Sequence, residues 1–154
     1  MTRDQWNVYF SGLFDGEGTV YINKYIYKDP RYNPRFQLTA RFNMTDSLPL
    51  KVGMEIWGGS LHKIEKRSKN PNWADCYMWQ VSSKLAMAFL RDILPYSVIK
   101  TEQIVTALTI EEVKKKKALE QRGKWNHWVY SPETIKELDE LRLTLSRLKK
   151  EKLL

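Results

Sequence analysis

The sequence predicts an α+β protein whose elements run α-β-β-α-β-β-α, with further helices after them. Three observations carry that prediction. Trp6, Tyr9, Phe10, Leu13 and Phe14 recur at the spacing of one helix face. The stretch Arg35–Met44 alternates without a break, placing Phe36, Leu38, Ala40, Phe42 and Met44 on one side and Arg35, Gln37, Thr39, Arg41 and Asn43 on the other. That is the period of a half-buried strand. Clusters of Gly, Pro and Asn then cut the chain into short pieces at 29–34, 58–59 and 70–72.

Taken in order, the first helix is expected from Thr2 or Asp4, either a suitable N-cap, to Asp15, with Gly16 and Gly18 ending it. A β-branched and aromatic stretch, Thr19–Lys28, gives the first strand, and Asp29–Pro34 the tip of a hairpin returning through Arg35–Met44. Thr45 or Asp46 caps a helix near Ser47–Trp57, with Pro49 in its first turn and Leu50, Met54 and Trp57 buried. Strands follow at Ser60–Arg67 and Asp75–Val81, and a helix capped by Ser82 or Ser83 carries Leu85, Met87, Phe89, Leu90 and Ile93. After Pro95 a longer helix is expected from near Ser97, with Ile104, Leu108 and Val113 on its apolar side, running into Lys114–Lys117. The pattern breaks over 123–130, and Ser131-Pro132-Glu133 opens a last helix striped by Ile135, Leu138, Leu141, Leu145 and Leu148. That stripe fits packing on the same domain better than on a second subunit.

The 154 residues suffice for one domain with a sizeable core. Net charge is +8, which points to a polyanionic partner, nucleic acid or an acidic membrane surface. The lone Cys76 allows no internal disulfide, and His62 and His127 do not combine with it into a zinc spacing. No apolar run reaches membrane-spanning length, no Walker-type phosphate loop occurs, and the start of the chain does not read as a signal peptide. An intracellular protein is expected.

The stretch Phe10-Ser11-Gly12-Leu13-Phe14-Asp15-Gly16-Glu17-Gly18 stands out. Two glycines four apart inside a helix suggest close backbone approach by another element. Two acids fall at a helix C-terminus, where the dipole disfavours them unless a cation joins. Carboxylate plus carbonyl oxygen is a donor set suited to Mg²⁺ or Ca²⁺. An ordinary amphipathic helix with a Gly-rich end is the competing reading. The nonapeptide resembles the signature motif of the LAGLIDADG homing endonucleases, with Phe-Ser in place of the usual Leu-Ala, and the element order is similar to that family over roughly residues 1–118.

The resemblance implies a single endonuclease domain over 1–154, with residues from about 119 as a C-terminal helical extension. It implies a saddle-shaped antiparallel sheet that binds double-stranded DNA, and site-specific cleavage of a long pseudo-palindromic target by an intron-encoded enzyme. One copy of the motif implies a homodimer joined through Gly12, Leu13, Asp15 and Gly16. Glu17 and the Gly16 carbonyl would hold Mg²⁺, with Mn²⁺ able to substitute and Ca²⁺ able to bind without supporting cleavage. Lys100 matches a lysine near the scissile phosphate, and Asp46 a solvent-positioning residue, although an acid departs from the family's pattern there and Asp46 also suits an N-cap. The residues expected at DNA are Asn23, Lys24, Lys28, Arg31, Arg35, Gln37, Thr39, Arg41, Asn43, His62, Lys63, Lys66 and Arg67. Arg reads guanine edges and Asn or Gln adenine edges, and a two-stranded ribbon fits the major groove. An RNA maturase, or a DNA-binding protein of the same fold without cleavage, is the alternative. The host compartment, whether bacterial or archaeal cytoplasm or an organelle, is left open by the residues.

Overall fold

The first helix begins where the sequence supplies its own cap: the Gln5 N–H donates to the Thr2 hydroxyl and the Gln5 side chain accepts the Thr2 N–H, a capping box. The computed structural model describes residues 1–65, 72, 74–120 and 130–151. In it α1 spans Arg3–Glu17, β1 Gly18–Tyr25, β2 Arg35–Met44, α2 Leu48–Trp57, β3 Ser60–Ile64, β4 Cys76–Ser82, α3 Ser83–Ile93, α4 Thr101–Glu120 and α5 Pro132–Glu151, with a 3-10 turn at Leu94–Tyr96. The expected order therefore holds. The strands form a sheet of order β1-β2-β4-β3. β4 pairs antiparallel with both neighbours, and Trp79 stands opposite Phe42 on one side and Leu61 on the other. No helix among the described residues is long and apolar enough to cross a membrane.

Some boundaries differ from expectation for local reasons. α1 continues through Gly16 to Glu17, and Gly18 then turns extended and donates its N–H to the Phe14 carbonyl. β1 stops at Tyr25, three residues early. α2 starts at Leu48, whose N–H donates to Asp46 Oδ1 at 2.9 Å, so Asp46 does act at this helix start. α4 starts at Thr101 instead of near Ser97, because the intervening N–H groups are turned to another partner, described below. The expected turn at 69–71 and the segment 123–129 lie outside the described residues.

The chain gathers into two compact units, Met1–Val20 with Thr39–Thr101, and Tyr21–Leu38 with Glu102–Leu154. The first has an aromatic core. Phe10, Phe14, Phe42, Trp79 and Phe89 are fully buried. Phe42 stacks on Trp79 with ring centroids 5.3 Å apart, and Phe10 and Phe89 meet Trp57 edge-on at 5.0 and 5.1 Å. Offset and edge-to-face contacts of this kind each add about 0.5–1.5 kcal/mol beyond area burial. The second unit buries Ile22, Phe36, Leu38, Ile104, Ala107, Ile110, Leu138 and Leu145. Leu138 and Leu145 are thus covered within the single chain, as the stripe on the last helix suggested. Beside this core, Asp139 accepts from Lys24 Nζ at 2.8 Å and from Arg142 Nε at 2.9 Å. Buried Glu111 pairs with Lys114 at 2.8 Å. Burial, and secondarily the Glu111 charge, pushes the Tyr130 phenol up.

Close packing of the aromatic core has one sharp test. A Cβ on Gly53 of α2 would meet Trp79 ring carbons at 2.8 and 2.9 Å and a Phe10 ring carbon at 3.0 Å. Gly53→Ala is expected to lower unfolding stability by about 1–3 kcal/mol through overpacking. A urea midpoint equal to that of the natural chain would contradict this packing.

Candidate functional site at the end of the first helix

α1 presents two different faces. Phe10 and Phe14 sink into the core, while Val8, Tyr9, Gly12 and Gly16 are exposed. A Cβ on Gly12 or on Gly16 would meet nothing within 4 Å. The close neighbour that the glycine spacing implies is therefore not found among the described residues. Leu13 is half-buried.

At its C-terminus α1 is tied to the segment Ser97–Lys100. The Asp15 carboxylate accepts four hydrogen bonds there: from the Ser97 hydroxyl at 2.7 Å, and from the N–H groups of Val98 at 2.7 Å, Ile99 at 3.1 Å and Lys100 at 3.0 Å. Burial raises the Asp15 pKa, but bonds from the Val98 and Ile99 N–H groups, the Ser97 hydroxyl and the Lys100 N–H outweigh it and hold the carboxyl below its ordinary range. In return the Lys100 ammonium donates to the carbonyls of Phe14 at 2.7 Å and Gly18 at 2.6 Å, and lies 5.5 Å from the centre of the Phe14 ring. A cation is favourable at this end, since the last carbonyls of a helix have no partner further along it.

The two carbonyls that Lys100 binds bracket Gly16 and Glu17 in the chain. Glu17 itself is exposed. The structure thus brings Asp15, Gly16, Glu17 and Lys100 together at one helix end, while dividing the two acids: Asp15 is taken up by the fold and Glu17 faces solvent. Asp46 is exposed, and one of its oxygens serves the start of α2. Among the described residues no three His, Cys, Asp or Glu side chains gather as a metal site. One carboxylate and one carbonyl are a hard-oxygen set of the right chemistry, but a single chain supplies too few of them.

The residues expected at DNA fall into both units. In the unit with Tyr21–Leu38, Lys28, Arg31 and Arg35 are exposed and Asn23 and Gln37 half-buried. Lys24, expected to be available, is paired with Asp139 and only 22% exposed. In the other unit Asn43, His62 and Lys63 are exposed and Arg41 is half-buried. Lys63 pairs with Asp75 at 2.8 Å. Thr39 departs from the alternation: it is 2% exposed, and its hydroxyl lies 3.1 Å from that of Ser82, its cross-strand partner. A hydroxyl pair buried between two strands does not reach a base, so Thr39 is a sheet residue. Lys66 and Arg67 lie outside the described residues.

The sequence matches no family model and no curated protein. Solved structures do resemble the chain. The homing endonuclease I-CvuI, in complex with its target in the presence of 2 mM Ca, aligns over 95% of this chain and 83% of its own with a TM-score of 0.69 at 16% identity. The archaeal intron-encoded homing endonuclease I-Vdi141I, complexed with DNA, aligns over 96% and 86% with a TM-score of 0.69 at 17% identity. The LAGLIDADG homing endonuclease I-SmaMI, bound to cleaved DNA, aligns over 88% of this chain but 42% of its own, with a TM-score of 0.65 at 16% identity.

The chain has the LAGLIDADG homing-endonuclease fold. Within this fold the nonapeptide forms the second half of α1 and the start of β1. Two features of the site were not legible beforehand. Ser97 carried no signal beyond a helix-start preference, and Asp29 was read only as a turn residue although it binds Arg31.

The Asp15 bonds set a pH dependence. Its folded pKa lies below the unfolded value of about 4. The stabilisation is therefore present above that value and is lost as pH falls through the folded one. Asp15→Asn is expected to cost about 2 kcal/mol at neutral pH, and the difference from the natural chain should shrink as the solution is acidified below about pH 4. Denaturant titrations at several pH values check this; a gap that stays constant into acid would refute it.

Proposed function

We propose that the chain is a site-specific DNA endonuclease that works as a homodimer with a divalent metal, encoded in an intron and cutting a pseudo-palindromic double-stranded site. The observation that carries this reading is the pairing on α1 of a bare Gly12/Gly16 face with an exposed Glu17 at its end. A second copy laid along the bare face would add a second Glu17 and a second Gly16 carbonyl to a donor set that one chain leaves short. The match to only 42% of I-SmaMI supports the same arithmetic, since one chain there is more than twice as long. The net charge of +8 suits a polyanion, and I-CvuI and I-Vdi141I were solved with DNA. Two-fold symmetry of the protein would be mirrored in the target.

Each chain's residues have distinct work in this reading. Glu17 and the Gly16 carbonyl would hold Mg²⁺, or Mn²⁺ in its place. When bound, such an ion supplies an activated water and stabilises charge on the phosphate oxygens. Lys100 holds the helix end that carries Glu17 and places a positive charge there, favourable to a phosphate passing through a more negative transition state. Asp15 fixes the loop that carries Lys100. Asp46 is assigned to the start of α2.

Glu17→Gln is expected to abolish cutting of a randomised palindromic DNA library in Mg²⁺ while retaining DNA binding. Cutting at the natural rate by that variant would remove Glu17 from the mechanism. Binding of structured intron RNA, with no DNA cut by the natural chain, would replace this reading with the maturase. The bare face has its own test. A Cβ at Gly12 would meet none of the described residues, so Gly12→Leu should not lower the thermal stability of the monomer. Sedimentation equilibrium should show the dimer weakened by tenfold or more, about 1.4 kcal/mol; an undisturbed dimer would place the contact elsewhere.

A further inference from the structure

The hairpin tip between β1 and β2 holds an arginine whose orientation is built, not left to solvent. Pro30 fixes the backbone between Asp29 and Arg31, and the Tyr32 N–H donates to the Asp29 carbonyl at 3.2 Å. The Asp29 carboxylate accepts the Arg31 N–H at 2.9 Å. It also takes one side of the guanidinium, Nε at 3.0 and 3.1 Å and Nη2 at 2.6 Å. Tyr27 and Tyr32 face each other across the tip with ring centroids 5.8 Å apart. Arg31 is nonetheless 84% exposed.

We infer that Arg31 reads a guanine of the DNA target, and that Asp29 is its positioning residue. The inference rests on the proposal that the partner is double-stranded DNA. A guanidinium has five N–H donors in a rigid fork. Asp29 occupies the Nε and Nη2 side, which leaves the Nη1 and Nη2 end pointing outward as two parallel donors. That end matches the O6 and N7 acceptors of guanine in the major groove. A phosphate can accept the same fork, but Asp29 cancels the charge that attracts it, so a phosphate contact is weakened by this arrangement. For base readout the balance reverses, because fixing the fork in advance lowers the ordering cost of a directional contact. The pair Lys63–Asp75 cancels charge in the same way but directs nothing, an ammonium being a point charge without a planar fork.

The test is selection from a randomised double-stranded DNA pool in Ca²⁺, using the full chain, Arg31→Ala and Asp29→Ala, followed by binding to the selected duplex and to unselected DNA. The natural chain should enrich guanine at one symmetric pair of positions. Both substitutions should reduce that preference by about tenfold or more. Asp29→Ala, having lost a negative charge, should at the same time bind unselected DNA more tightly, an opposite movement that a merely structural role would not produce. Arg31→Lys should fail to restore the guanine. If Asp29→Ala leaves every selected position unchanged, or Arg31→Ala weakens all sequences equally, the inference falls and the DNA reading stands. A natural chain that retains no DNA from the pool overturns both.

Discussion

The contact on which the first unit depends is the Asp15 carboxylate in its row of donors. An acid in the last turn of a helix is unfavourable by itself, because the dipole there is already negative. Here three backbone N–H groups and a hydroxyl from Ser97–Lys100 surround it. The same segment returns Lys100 to the carbonyls of the helix it has just neutralised. Each group settles the other's electrostatic problem, so the acid and the lysine are best understood as one unit joining residues far apart in the chain. The exchange leaves Glu17 exposed and the end of α1 fixed, which is the condition for a carboxylate to hold a ligand in a set place.

Behind that fixed end lies a core built largely of rings. Trp79 of β4 meets Phe42 across the strand pair and Phe10 of α1 above it, so strand register and helix position are determined by one set of contacts. Gly53 is part of the same fit, its missing side chain making room for the Trp79 and Phe10 rings. The opposite side of α1 shows the contrary arrangement: a Cβ on Gly12 or Gly16 would meet none of the described residues.

Much of the fold could be read in the sequence because its signals are local. The alternation of Arg35–Met44 gives the strand to the residue, and Ser131-Pro132-Glu133 announces α5. What escaped depends on partners distant in sequence. Nothing near Ser97 foretells that its neighbours' N–H groups turn to Asp15 and so delay α4 to Thr101. Alternation placed Thr39 on a polar face, but Ser82, across the sheet, buries its hydroxyl. Lys24 reads as a cation for DNA until Asp139 of α5 claims it. The motif named Gly16 and Glu17, the wider family resemblance named Lys100, and the structure gathers all three at one helix end.

Between Ile22 and Phe36 no side chain contributes to either hydrophobic core. The tip of the hairpin is held by its own turn, by Asp29, by a pair of tyrosines and by the Asn33 side-chain amide, which donates to the Tyr130 carbonyl at 3.1 Å. An exposed side chain such as Arg31 can be exchanged at little cost to stability, whereas the buried residues of the strands that carry the tip cannot. A surface built this way can change its size and charge from one sequence to the next while the buried framework beneath it stays the same.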